Sequence, residues 1–432
     1  MNPAKSSKPA VFATARQEIV SLASQPVVHS AFAWFHDGEQ RFREWQLEFT
    51  RIAAPPFGEA ERARWLHRQF EKLGLRAVKT DEVGNVLGMR PGRSNSEPAI
   101  AVTAHIDTVF PSGTPINVRS DGHKLFGPGI SDNASGVTAM LAMVAALEEF
   151  EIETERPVLF VGTVGEEGEG DLRGMRHLFT QSPWKESIAR TLVIDGAGTE
   201  TIVTQALGSR RFEVTARAKG GHSWSDFGEP NPIVALARAV AALYEVPLSS
   251  QPEVKSAYNV GIIQGGTSVN SIPAVASMRV DLRSSAQTEI ERLTHELNRI
   301  ASAASRNGKL SAGPPTDAPT AVSISVEKIG ERPAAELAAG KRILQVVRAV
   351  DAHLGINSRL HRSSTDANIP LSLGREAVSL GAGGIGGGAH TVNEWFDTTG
   401  RDVGLKRIFL ALMALANDPS ASQAQTEDGI QP

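Results

Sequence analysis

Three segments of this chain share one layout: a run of apolar residues closed by acids or histidine. They are "AIAVTAHIDTV", carrying His105 and Asp107, "PVLFVGTVGEE", ending on Glu166 and Glu167, and "TLVIDGAG", carrying Asp195. Runs that are apolar at every position suit strands covered on both faces, as parallel strands in α/β proteins are. Polar residues at the carboxyl ends of such strands mark the edge where an α/β sheet builds its site. His105 and Asp107 are two positions apart, so in an extended chain both side chains point to one face. An imidazole and a carboxylate are thereby aimed together past the strand end.

Between these runs the apolar spacing turns helical. Residues 38–54 and 58–73 read as helices, "LRAVKTDEVGNVLGMRPG" as two strands with a Gly-Asn turn, and "NASGVTAMLAMVAALEEF" as a helix after a Gly/Ser-rich loop. Near residue 206 the pattern changes. "SRRFEVTARAKG", "SAYNVGIIQGG", "AVASMRVDLRS" and "AVSISVEKIG" read as strands, with helices at "NPIVALARAVAALYEV" and "QTEIERLTHELNRIASAASRNG". That order is β-α-β-β-α-β, the split ferredoxin-like unit. The expected fold is α/β: a mixed-sheet catalytic domain over 1–205 and 329–417, interrupted by an α+β ferredoxin-like lid or dimerisation domain over 206–328. A polar tail over 418–432 is expected to be disordered. Two domains also suit a chain of 432 residues.

Two further segments bring chemistry to the same edge: "GISDNASG" with Asp132 and "GGGAHTVNE" with His390. No Lys or Arg is interleaved among these acids, and carboxylates so clustered repel one another unless cations sit within the cluster. The chain has no cysteine, so a metal here is held by His, Asp and Glu. Such oxygen and nitrogen ligands suit Zn²⁺, with Co²⁺ or Mn²⁺ possible. Two ions about 3.5–4 Å apart, bridged by a carboxylate, are the economical arrangement. A net charge of −4 without a basic stripe argues against nucleic acid or an anionic membrane as partner. No run is long enough for a signal peptide or a membrane span, and the expected location is cytoplasmic. "GAGGIG", residues 381–386, fits a dinucleotide pattern, but no helix signal or acid follows at the required spacing. Ser364, Thr365 and Asp366 in "HRSSTDANIP" suit either a pocket wall near the metals or a structural role.

Together "HIDTV", "GISDNASGV", "GEEGEGDLRG", "VIDGAG", "GGHS", "NSIPAVASMRVDLRS" and "GGGAHTVNEW" resemble a known family. It is the dinuclear-zinc amidohydrolases that include aminoacylase, bacterial glutamate carboxypeptidase, succinyl-diaminopimelate desuccinylase and peptidase T. The resemblance spans roughly residues 40–415, and "APPFGEAERARWLHRQFEKLGL" leans toward the peptidase T-like branch.

By position, the resemblance implies two Zn²⁺ per chain, one on His105 and Asp195, the other on Glu167 and His390, with Asp132 bridging. It implies that Asp107 orients His105 through the other ring nitrogen. Glu166 is then the general base that activates the metal-bridging water. The two adjacent glutamates are expected to diverge, one toward metal and one toward substrate. A cis peptide is implied at Asp132–Asn133. His222 is implied to donate to the developing oxyanion. Asn270 and Arg283 are implied to hold polar groups of the substrate, Arg283 by its bidentate fork. Gly387 belongs to a Gly-rich loop whose backbone N–H groups are expected to approach the substrate. The implied activity is hydrolysis of short peptides by a di- or tripeptide aminopeptidase, with N-acyl-amino-acid deacylation as the alternative. A non-catalytic metal-binding scaffold is the reading from another class. The resemblance also implies a homodimer formed through the lid.

Overall fold

The computed structural model describes residues 8–306 and 322–418. The expected tail lies, beyond Asp418, outside the described residues. The chain divides into two compact units, one running to Gln205 and resuming at Glu336, the other Ala206–Ala335.

The first unit opens with helices α1 (Lys8–Ala23), α2 (Pro26–Asp37), α3 (Glu39–Thr50) and α4 (Ala60–Lys72). The last two fall where apolar spacing placed them. A hairpin of β1 (Arg76–Thr80) and β2 (Val86–Arg90) precedes β3 (Ala99–His105). A small hairpin, β4 (Arg119–Asp121) and β5 (Lys124–Phe126), leads to α5 (Ala134–Glu149). Then come β6 (Val158–Thr163), α6 (Arg173–Thr180), β7 (Ile188–Ile194) and β8 (Thr201–Ala206). Every residue of β3 and β6 is buried, as strands apolar on both faces require. Helix α5 is buried from Ala134 to Leu147, because its alanines, glycine and serine leave little side chain to hold it off its neighbours.

The second unit comprises β9 (Gly208–Arg217), β10 (Gly221–His222), α7 (Pro232–Tyr244), β11 (Ser256–Gly265), β12 (Ser271–Ile272), β13 (Val275–Ser284), α8 (Gln287–Arg306) and β14 (Ser323–Arg332). Its four long strands form an antiparallel sheet in the order β11-β13-β9-β14. Alternate residues of β9, Phe212, Val214 and Ala216, share a core with Ala235, Leu236 and Leu243 of α7 and Leu293 and Leu297 of α8. Period-2 strands facing period-3.6 helices are what the split unit demands. Strand β14 runs on to Arg332, so this unit reaches Ala335 rather than the expected 328.

The first unit resumes with β15 (Ala335–Glu336), α9 (Arg342–Leu354), β16 (Arg359–Ser363), α10 (Asn368–Ser372) and β17 (Glu376–Leu380). It ends with β18 (Ile385–Gly387), β19 (Trp395–Asp397) and α11 (Arg401–Ala416). The main sheet is mixed, in the order β1-β2-β6-β3-β7-β17-β8-β15. Its centre is parallel: β6 pairs β3, β3 pairs β7, and β7 pairs β17. Their carboxyl ends therefore lie side by side along one edge.

Candidate metal centre

That parallel centre delivers three acidic segments to one place. His105 closes β3, Glu166 and Glu167 follow β6, and Asp195 follows β7. Asp132 comes from the turn into α5 rather than from a strand end. Asn133 sets its position: Oδ1 accepts from the N–H groups of Gly136 and Gly196, each at 3.1 Å, and Nδ2 donates to the Ile194 carbonyl at 2.8 Å. The start of α5 is thereby stitched to the end of β7. A Cβ at Gly136 would lie 2.6 Å from the Ile194 carbonyl oxygen, so this approach requires glycine. The Asp132–Asn133 peptide is cis. His390 arrives from the loop between β18 and β19 with a φ of 65°, a left-handed backbone uncommon for histidine.

Nε2 of His105 lies 2.9 Å from Oδ1 of Asp132 and 3.7 Å from Oδ1 of Asp195. Nε2 of His390 lies 3.3 Å from Oδ2 of Asp132 and 3.2 Å from Oε1 of Glu167. Two groups of one histidine and two carboxylates therefore share Asp132, one oxygen each. Ligands 2.0–2.2 Å from one tetrahedral zinc stand roughly 3.3–3.6 Å from each other. The observed separations straddle that value, and the donor chemistry fits a pair of such ions. Glu166 forms a further cluster with His105 and Glu167, their ligand atoms within 4.8 Å of one another. Strand geometry does not set where the Glu166 and Glu167 side chains point. Strand β6 ends at Thr163 and Gly165 turns the chain with a φ of 63°, so strand alternation no longer applies.

The electrostatics say what the cluster lacks. Burial alone pulls the His105 pKa down, yet Asp107, Asp132 and Asp195 together hold it well above the usual value. Hydrogen bonds to Asp132 and Glu167 push His390 up to about 10. Burial opposes ionisation of Asp132, but His105 and His390 overcome it and hold its carboxyl well below the ordinary range. Among the described residues, the ion-pair partners of Asp132, Glu167 and Asp195 are these two histidines alone. Without metal, protons supply the positive charge that the carboxylates require.

Asp107 is fully buried. Its Oδ1 faces Nδ1 of His105 at 3.5 Å, a long contact that leaves Nδ1 short of a proper hydrogen bond. Its stronger partners are backbone N–H groups: Glu166 donates to Oδ1 at 3.0 Å and Glu167 to Oδ2 at 2.8 Å. One carboxylate thus fixes the segment carrying both glutamates as well as facing His105. Sequence reading missed Glu394. It is buried and accepts from the N–H groups of Gly129, Ser131 and Asp132 at 2.9, 2.7 and 2.7 Å, which shapes the loop that presents Asp132. Burial raises its pKa to about 7 despite those donors. The only sequence signal was an acid four residues after His390. Asp366, also buried, accepts from Thr163 Oγ1 at 2.5 Å and is raised by burial to about 6. At Gly387 a Cβ would meet the Trp395 indole at 2.6 Å, so packing alone accounts for glycine there. No helix follows the glycines of 381–386; they lead into β18.

Within the second unit, His222 is exposed. Its Nδ1 accepts from Trp224 N–H at 3.2 Å and Ser225 N–H at 3.4 Å, so the neutral ring carries its proton on Nε2. Asn270 is nearby: His222 pairs with Ser271, and Ser223 N–H donates to the Asn270 carbonyl. Arg283 is elsewhere. It pairs with Ser209 at the far end of β13, its Nε 2.6 Å from Asp281 Oδ2. The steps from Val275 to Arg283 cover about 27 Å of strand, and His222 and Asn270 lie beyond Val275.

The sequence pattern of Peptidase family M20/M25/M40 matches residues 101–414, and the chain belongs to that family. It is accordingly a metal-dependent enzyme of the metallopeptidase and amidohydrolase class, which displaces the scaffold reading. The uncharacterized protein YqjE of Bacillus subtilis is 26% identical over 365 residues, covering 80% of this chain and 91% of that protein. A probable carboxypeptidase of Aspergillus clavatus is 28% identical over 248 residues, covering 52% of this chain and 54% of its own. Aminopeptidase PepT of Bacillus cereus has the same fold, with a TM-score of 0.69 at 20% identity over 88% of this chain and 99% of that one. A tripeptidase of Staphylococcus aureus gives 0.68 at 23% identity over 89% and 99%. Among the described residues, no helix is long and apolar enough to cross a membrane.

Proposed function

We propose that this chain is a di- or tripeptide aminopeptidase with two zinc ions. His105, Asp195 and Asp132 hold one; Glu167, His390 and Asp132 hold the other. The observation that carries this reading is the shared carboxylate, each of whose oxygens belongs to a different group of ligands. The aminopeptidase and tripeptidase of like fold supply the substrate class. Bound there, zinc supplies Lewis acidity, polarising a carbonyl and making water a stronger acid.

The other roles fall to side chains. Glu166 accepts a proton from the attacking water and returns it to the leaving amine. Asp107 orients His105 and, through two backbone N–H groups, the segment carrying Glu166. His222 donates from Nε2 to the carbonyl oxygen as negative charge develops. Asn270 and the backbone at Gly387 hold the substrate's polar groups, and Arg283 takes its carboxylate. Arg283 and the His222 end of one lid are about 27 Å apart, whereas a dipeptide spans about 7 Å. One lid cannot bring both to one small substrate, which supports a homodimer in which His222 and Asn270 serve the partner's site. The exposed edge strand β11, with Ile262 and Ile263 open, is the surface for pairing.

The test is turnover by the zinc- or cobalt-loaded enzyme of tripeptides, dipeptides and N-acyl amino acids. Release of the N-terminal residue from free peptides is expected. Turnover confined to N-acyl amino acids makes it a deacylase. Release of the C-terminal residue follows instead the name given to the Aspergillus clavatus relative.

A further inference from the structure

The metal centre is not the only place where a histidine meets two carboxylates. Asp81 and Glu82 begin the turn between β1 and β2, and His177 lies in α6. Nε2 of His177 is 3.1 Å from Oε2 of Glu82 and 3.7 Å from Oδ2 of Asp81. These separations fall in the same range as those around His105 and His390 and straddle the roughly 3.3–3.6 Å expected of ligands on one tetrahedral zinc.

The ring's protonation sharpens the point. His177 is more than nine-tenths buried, and its Nε2 is a buried nitrogen without a hydrogen-bond partner. Its Nδ1 lies 3.1 Å from Oε1 of Gln181, an amide oxygen that only accepts, so Nδ1 carries the proton. With Nδ1 engaged by Gln181, Nε2 is the ring nitrogen that faces the two carboxylates. A positive charge belongs between these groups, and a proton or a metal ion can supply it. Asp81 is held for the purpose: Oδ1 accepts from the N–H groups of Val83, Gly84 and Asn85 at 3.1, 3.0 and 2.8 Å, and Nδ2 of Asn85 donates to Oδ2 at 2.8 Å. Glu82 is largely exposed and leaves a way in from solvent. A histidine steadied through its second nitrogen and a carboxylate steadied by hydrogen bonds are typical supports of metal ligands.

We propose that Asp81, Glu82 and His177 form a separate binding site for one divalent cation of the zinc type, with water completing its coordination. The ion clasps the β1–β2 turn to α6. Asn85 carries the effect inward, since its Oδ1 accepts from Val164 N–H and its Nδ2 donates to the Gly174 carbonyl, both at 3.0 Å. Val164 lies two residues before Glu166, so the ion braces the segment that bears both glutamates of the main centre.

The experiment compares zinc content by elemental analysis after dialysis of the full chain against micromolar zinc. Glu82→Gln, at an exposed position that leaves the fold alone, should hold about one ion fewer than wild type, and His177→Gln likewise. The difference does not depend on how many ions the main centre holds. In a chain disabled there by Asp132→Asn and His390→Ala, about one ion should remain and be lost on adding Glu82→Gln. Chelator should lower the thermal midpoint of that disabled chain but not of its Glu82→Gln derivative. Equal zinc content in wild type, Glu82→Gln and His177→Gln would overturn the site.

Discussion

The two units differ in how they carry their candidate functional residues, His390, an exposed residue of the first unit, apart. In the first, His105, Asp107, Glu166 and Glu167 are buried, come from adjacent strand ends and contact one another. In the second, His222 is exposed, Arg283 is partly exposed, and the two stand at opposite ends of a strand. A metal site needs ligands fixed to fractions of an ångström, which parallel strand ends and backbone hydrogen bonds supply. Under the proposed function, His222 and Arg283 meet a substrate arriving from solvent and so stay open until it comes.

The sharpest way to break this division is through the adjacent glutamates. Glu166→Gln should keep its metal content while kcat falls by about 10²–10⁴, since proton transfer is lost. Glu167→Gln should instead lower metal occupancy. If both variants lose metal equally, Glu166 is a ligand and the assignment of base fails. Next in size is His222→Ala, expected to cost about 10²–10³ in kcat with metal retained, as the loss of one oxyanion donor does. Mixing the inactive Glu166→Ala and His222→Ala chains under subunit exchange should restore roughly a quarter of wild-type activity if His222 serves the partner's site. About half the dimers are then mixed, each with one intact site. No recovery after proven exchange confines His222 to its own chain.

Arg283→Lys should raise KM for substrates with a free carboxylate and leave amidated ones unaffected, because a point charge does not replace the planar fork. Equal losses on both make Arg283 structural. The smallest effect concerns the metal-free protein. The folded-state pKa of His390, about 10, exceeds its ordinary 6.5, so the metal-free fold binds that proton more tightly than the unfolded chain. The resulting stabilisation is complete below about pH 6.5 and is lost as pH rises toward 10. Thermal melts should show the midpoint of the metal-free protein falling across that window, with the zinc-loaded protein spared. Zinc binding near pH 8 should release protons. A flat midpoint would place His390 away from Asp132 and Glu167 in the metal-free state.

Much of the centre was legible because its signal is local. Each candidate ligand ends an apolar run or sits in a Gly-rich turn, and these are visible one segment at a time. Helices α1 and α2 went unread. Many of their contacts are with α9 and α11, which follow some three hundred residues later in the chain. Glu394 escaped for the same reason: an acid in a loop gains meaning only when three N–H groups from residues 129–132 close around it. Strand alternation does not reach Glu166 and Glu167, because the backbone turns at Gly165.

The sequence by itself determined the α/β class, the interruption near residue 206, and which His, Asp and Glu residues stand at strand ends. Period and composition act over a few residues and need no partner to be read. Tertiary structure alone decided that β6, β3, β7 and β17 lie in adjacent order, that Asp132 faces His105 with one oxygen and His390 with the other, and that Arg283 is a strand's length from His222. It also brought Asp81 and Glu82 to His177 across nearly a hundred residues of chain. Strand order and pairing register are settled by long-range hydrogen bonds and packing, in which each segment's position depends on all the others. No local pattern encodes that choice.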